Sequence, residues 1–411
     1  MDSGIDRQLI GDAGGIKTLL LFLAVASLGV LSSLAEASVL LDIPPRKQWE
    51  NRNGYCGACS IQQVALYHGA YVSQAVSRAI IDPDQDEEVL VGVNMAEVLN
   101  SLSFEFECWQ YDAHPTPQYR DYLVWIAQHL EDRHPVIITC YIKGMGDPDY
   151  DHIMVAVGFT GADPNSYQSN DEISYNDCFS PSPFTRTYGS FYDDRSMQEN
   201  GALYEYCIPK QVDYGCAVTG IKDVNQETYP VRLSVDDWEE PNITLGEAPK
   251  TLNATIQVDG LSVGRSYLLL RYDDYRNVPS GNFRESSFDS SREFVPETGT
   301  YYLSDQFMSD EVVIYRCIAN DETHYVDLAG VCGGKTPCYT SIQQAVDAAD
   351  NGATIKIVQG TYNEELNVSL PNYLTLSAGW DITFTTQSGT STVNSMAINN
   401  GSVTVDSMVI E

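Results

Sequence analysis

Basic residues are scarce in this sequence. Lysine and arginine number 23 against 57 aspartates and glutamates, a net charge of −34. Such a chain repels phosphate backbones and anionic lipid headgroups, which excludes nucleic acid and membrane surfaces as partners. The surplus carboxylates fit a solvated surface in a salty or extracellular medium, with a calcium site around Asp147, Asp149 and Asp151 as the sharper alternative. Long apolar runs are absent apart from "TLLLFLAVASLGVLSSLA", residues 18–35. That run ends in Ala35-Glu36-Ala37, a small-x-small pattern, and reads as a secretory signal peptide spanning 1–37. The segment before it sets Asp2, Asp6 and Asp12 against Arg7 and Lys17, so an uncleaved anchor is the competing reading. A second Cys-x-x-Cys is also missing, which argues against zinc. No ATP-binding motif is present, so no tethered exporter is expected. The sequence calls for no cofactor and no metal.

What is there is ample core. Apolar residues make up 43% of 411, enough for two or three domains. From Ser38 to Lys222 helices and strands mix. Apolar residues recur at helical spacing over 57–68 and 117–132, and "FEFECW", "PVIITCYI", "HIMVAVGF" and "ISYND" read as strands. Helix first and strands later predicts an α+β domain over 38–222. Residues 223–322 carry short strands between Pro, Gly, Asn and Asp clusters, which predicts a β-sandwich. Over 323–411 one helix, "SIQQAVDAA", precedes recurring strand-turn units, the texture of a β solenoid.

Export fits ten cysteines, because an oxidising compartment permits disulfides. Cys332 and Cys338 lie among turn formers and make the first expected bridge; Cys207 and Cys216, flanking "PKQVDYG", make the second.

The stretch "NGYCGACS" sets Cys56 and Cys59 at the start of a helix. A thioredoxin-type redox pair needs an apolar strand feeding the motif, but "PPRKQWENRNGY" is polar. A cysteine hydrolase needs a thiol at a helix N-terminus, a histidine to hold its proton, and a group to orient that histidine. Of six histidines, His152 opens the apolar strand "IMVAVGF" and is the best placed.

These segments resemble known families. "NGYCGACS" and "DHIMVAVGF" are similar to the nucleophile and histidine segments of papain-like cysteine peptidases. The likeness is closer to the bacteriocin-processing, double-glycine-leader peptidases, covering residues 48–69 and 150–178. The papain register implies Cys59 as nucleophile, with Cys56 in a disulfide and Asn53 as oxyanion donor. The leader-peptidase register implies Cys56, and keeps that family's spacing to Tyr67-His68-Gly69. Cys56 is preferred. Gln48 is the nearest glutamine for the oxyanion but stands two positions further upstream than the families place it, with Asn51 or Asn53 as substitutes. Of Asn176 and Asp177, adjacent and so facing opposite ways, Asp177 is chosen to orient His152. Residues 332–362 resemble the opening of pectin-lyase-like domains.

The fold class that follows is multidomain: an α+β papain-like domain, an all-β sandwich, and the start of a right-handed parallel β-helix. The function implied is a secreted or cell-surface cysteine peptidase or amidase, acting through a thioester with Cys56, His152, Asp177 and Gln48, on a peptide or protein substrate. The alternative is a non-catalytic adhesion or carbohydrate-binding protein that meets cell-surface glycan. Too few solenoid units are present for a polysaccharide lyase.

Overall fold

The computed structural model describes residues 37–50, 54–115, 117–144, 147–192, 206–207, 215–320, 322–349, 351–369 and 373–411, with the backbone alone over stretches such as 141–151. The expected signal segment before Ala37 lies outside them. So do Asn51, Asn53 and the side chains of Asp147, Asp149 and Asp151.

Five α-helices occur among these residues: α1 (Cys56–Tyr67), α2 (Gln74–Ile81), α3 (Met95–Ser101), α4 (Tyr119–Glu131) and α5 (Ile342–Ala348). Helix α4 buries Tyr122, Leu123, Ile126, Ala127 and Leu130, a stripe of i, i+3 and i+4 positions. Helix α1 has no polar face, for all twelve residues are buried. Its polar side chains are satisfied internally, as where Gln62 donates to the Val72 carbonyl at 2.9 Å.

Among the described residues, strands between Ala37 and Ile221 build a nine-stranded sheet. Its main path runs Phe104–Cys108, Gly215–Ile221, Val136–Gly144, Asp147–Gly161, Glu172–Asn176, Phe184–Thr187. Val136, Ile137 and Ile138, and Ile153 to Val157, are buried as continuous apolar runs, so these strands are covered on both faces. Helix α1 packs on Asp147–Gly161. Two antiparallel sheets follow. One carries Thr228–Tyr229, Val312–Ala319, Tyr267–Tyr272 and Ser290–Phe294; the other Val231–Val235, Thr251–Asp259 and Thr300–Met308. Strand Ala70–Val72, just beyond α1, joins the first of these two by pairing with Val312–Ile314. Leu66 and Tyr71 accordingly pack in the core of the paired sheets, whereas Ile61, Val64 and Ala65 pack in the first. The last ninety residues form two parallel sheets around a separate core that includes Ile342, Ile355, Ile357 and Leu376.

The expected fold class needs correcting. The molecule is mostly β, and a papain-like α+β start led by helix is not what the chain builds. The first described element is a strand, Ala37–Leu40, paired with Gly158–Gly161. Its large sheet is completed by segments of two to seven residues, too short to show a period. Gly215–Ile221 inserts between strands more than seventy residues earlier in the chain.

Cys332 and Cys338 are bonded. The second expected bridge is corrected: Cys216 is bonded to Cys108, directly opposite it across two antiparallel strands. Turn formers flanking a segment invite a local pairing, but the sheet register brings a distant partner closer. Among the described residues no helix is long and apolar enough to cross a membrane.

Candidate active site

Helix α1 starts abruptly. Gly54 adopts a left-handed conformation (φ 84°), and Tyr55 carbonyl accepts the first helical bond, from Cys59 at 2.8 Å. Arg78 of α2 fixes this entry. Its guanidinium lies 3.8 Å from the Tyr55 ring centroid and donates to the Gly54 carbonyl. Cys56 is thus the first helical residue, where backbone N–H groups lack partners within the helix. Gly57 follows because nothing larger fits: a Cβ there would stand 1.9 Å from the Val89 carbonyl oxygen.

His152 belongs to the long central strand, beside α1. Its Nε2 lies 3.2 Å from Asp177 Oδ1, which also accepts from the Phe179 N–H at 3.0 Å. The Phe179 ring stacks on the imidazole, with centroids 5.3 Å apart. Burial, the largest influence, favours the neutral ring. Hydrogen bonds to Asp177 and Cys56, with the charges of both, outweigh it and hold the His152 pKa at about 9 against 6.5. With Nε2 turned to the carboxylate, Nδ1 is the nitrogen left for the thiol. The three side chains are enclosed, Cys56 being 8% exposed and His152 1%.

Gln48 approaches this group through its backbone. Its N–H donates at 3.1 Å to the carbonyl of Cys178, the neighbour of Asp177, while its buried side-chain oxygen has no partner among the described residues. Gln74 brackets the segment, donating to the Lys47 carbonyl at 2.9 Å and accepting from the Trp49 N–H at 3.1 Å. Cys59 sits one turn into α1 and donates to the Arg46 carbonyl at 3.2 Å. Asn176 is spent elsewhere, donating to the Ile43 carbonyl at 3.0 Å. Cys178 is fully buried against Cys59, and burial pushes its thiol well up.

Asp177 lies in the wall of a cleft of about 450 Å³ and Gln48 in that of another of about 180 Å³. Among the described residues no cluster of three histidine, cysteine or carboxylate side chains could hold a metal ion.

Sequence reading missed Gly57, Gln74, Arg78 and Phe179 as supports. Only Gly57 left a signal, a glycine in the first turn of a helix that had no other need of it. No known protein family and no curated protein matches the chain.

Proposed function

We propose that the chain is an exported cysteine hydrolase of the peptidase or amidase class. The observation that carries this reading is the arrangement at α1: Cys56 at the first helical position, the His152 ring whose proton the thiol and the Asp177 carboxylate together favour, and Asp177 Oδ1 3.2 Å from Nε2 of that ring. Cys56 Sγ, as thiolate, attacks the carbonyl carbon and the C=O electrons move to oxygen. The oxyanion takes the Cys56 N–H, with the Gln48 amide as the second donor. The His152 imidazolium gives its proton to the leaving amine as the C–N bond breaks, leaving a thioester. Water, deprotonated by His152, then attacks the thioester and releases the acid and the thiol. Asp177 keeps the ring oriented and stabilises its charged form. The likeness of the Cys56 and His152 segments to leader peptidases is what points to an amide bond. Two disulfides support an oxidising, extracellular destination.

The enclosure of Cys56 and His152 favours a second reading, a non-catalytic binding protein. Iodoacetamide labelling of the native protein separates the two. Modification of Cys56 with Cys59, Cys140, Cys178 and Cys317 spared, and slower labelling in His152→Ala, is the expected result. A native protein whose Cys56 resists the reagent, beside an unfolded control that reacts, would establish the non-catalytic reading.

A further inference from the structure

The 57 acidic residues outnumber the 23 basic ones more than twofold, so an arbitrary patch of wall should be acidic. One cavity reverses that ratio. It measures about 320 Å³ and lies where the C-terminal end of α1 meets strands of the first sheet and of the paired sheets. Arg133, Arg232, Arg316, His68 and His134 line it, against one carboxylate, Asp132.

Arg316 is 1% exposed. Its Nη1 donates to two main-chain oxygens, of Tyr315 at 2.8 Å and of His68 at 3.3 Å. Its Nε and Nη2 have no partner among the described residues. Asp223 acts on it only through space, and one oxygen of that carboxylate accepts from both the N–H and the hydroxyl of Thr228 at 2.7 Å. Arginine does not shed its proton in proteins, so this is a buried charge without an ion pair, an arrangement folds normally avoid. Capping α1 through the His68 carbonyl accounts for one edge of the guanidinium. It leaves the other edge of the guanidinium, with its Nε and Nη2, unaccounted for. Arg232 lies over the Tyr67 ring, 4.9 Å from its centroid, and its Nη1 pairs with Asp259 at 3.5 Å on the rim. His68 hydrogen-bonds the Val218 carbonyl with one ring nitrogen, and its buried Nε2 has no partner among the described residues. Burial first, and then the Arg316 charge, keep that ring neutral, its pKa down at about 3.

We propose that this cavity binds a small organic oxyanion, a carboxylate or phosphate ester, with Arg316 as its buried counter-charge and Arg232 and Arg133 closing on it from the rim. A guanidinium fork matches the paired oxygens of either group. The volume is roughly ten times that of a liquid water, so it holds carbon as well as a charged head, and the Tyr67 face offers that carbon a wall. The site stands at the opposite end of α1 from Cys56, and the inference is independent of thiol chemistry.

The test titrates the full chain by calorimetry with citrate, glycerol phosphate and inorganic phosphate at constant ionic strength. Saturable binding of citrate or of glycerol phosphate is expected, and which of the two binds identifies the head group. Arg232→Gln should weaken it about tenfold, the loss of one charged fork. Arg133→Gln should weaken it less. Arg316→Met, if folded, should be no less stable than the parent and should abolish binding. The proposal is overturned if neither organic anion saturates below about 10 mM, if inorganic phosphate binds as tightly as they do, or if Arg232→Gln leaves the affinity unchanged.

Discussion

Replacing Asp177 by Asn keeps the size of the side chain and a hydrogen-bonding oxygen while removing the negative charge beside His152. In the parent the imidazole is held at about 9 against 6.5, mainly because Asp177 and Cys56 together overcome burial. That gap, near 2.5 pH units, corresponds to about 3 kcal/mol at 1.36 kcal/mol per unit. The folded value is raised, so this stability is fully present below about pH 6.5, declines as pH rises, and is gone above about pH 9. In Asp177→Asn burial gains weight against Cys56 alone, and the folded His152 pKa should fall. The parent should therefore exceed the variant most near pH 6 and lose up to about 3 kcal/mol of that margin by about pH 9.5. Urea unfolding of both proteins at those two pH values measures it, because groups titrating elsewhere cancel in the difference. A margin equal at both ends would refute the coupling of His152 to Asp177 and the electrostatic role given to it.

Turnover should fall far more in Asp177→Ala than in Asn176→Ala, because Asn176 bonds the Ile43 carbonyl rather than the imidazole; equal losses in kcat/KM would count against Asp177. The alkaline limb of kcat/KM should lie near pH 9, where His152 loses the proton it gives to the leaving amine; a limb near pH 6.5 would contradict this. Gly57→Ala must displace either the helix start or the Val89 carbonyl. It should cost about 1–3 kcal/mol by denaturant melt and about a hundredfold in rate, and full activity would show that the entry to α1 is not rigid. Joint replacement of Cys108 and Cys216 by Ser should cost about 2–4 kcal/mol, read as a lower Tm with the Cys332–Cys338 bond retained.

The site was more legible than the fold. A thiol at a helix start and a histidine at the mouth of an apolar strand are local patterns, readable from Cys56 and His152 with their immediate neighbours. Strand alternation says only that one of Asn176 and Asp177 can face His152; the choice of Asp177 comes from the likeness to leader peptidases. Sheet order is a different kind of information. Nothing near Phe104–Cys108 or Gly215–Ile221 announces that these strands pair across more than a hundred residues, and the same blindness misassigned Cys216. Helix α1 misleads through Gln62 and Gln63, polar residues that a periodic reading turns outward but that find partners inside. Arg316 and the cavity around it left no trace in the sequence, since their members come from positions 67 to 316.

The pairing of Ala70–Val72 with Val312–Ile314 sets a timetable for synthesis. The helix bearing Cys56 is followed at once by a strand whose partner is encoded about 240 residues later. At about 5–20 residues per second, a ribosome needs roughly 10–50 s to deliver that partner. Through that interval Leu66 and Tyr71 lack the core that covers them in the finished protein. The thiols of Cys56 and Cys59 belong to the same unfinished helix. A chain folding in an oxidising compartment must bring those sulfurs through the wait unpaired, so a factor that shields nascent thiols or apolar surface should raise the yield of correctly bonded protein more than it raises the rate of folding.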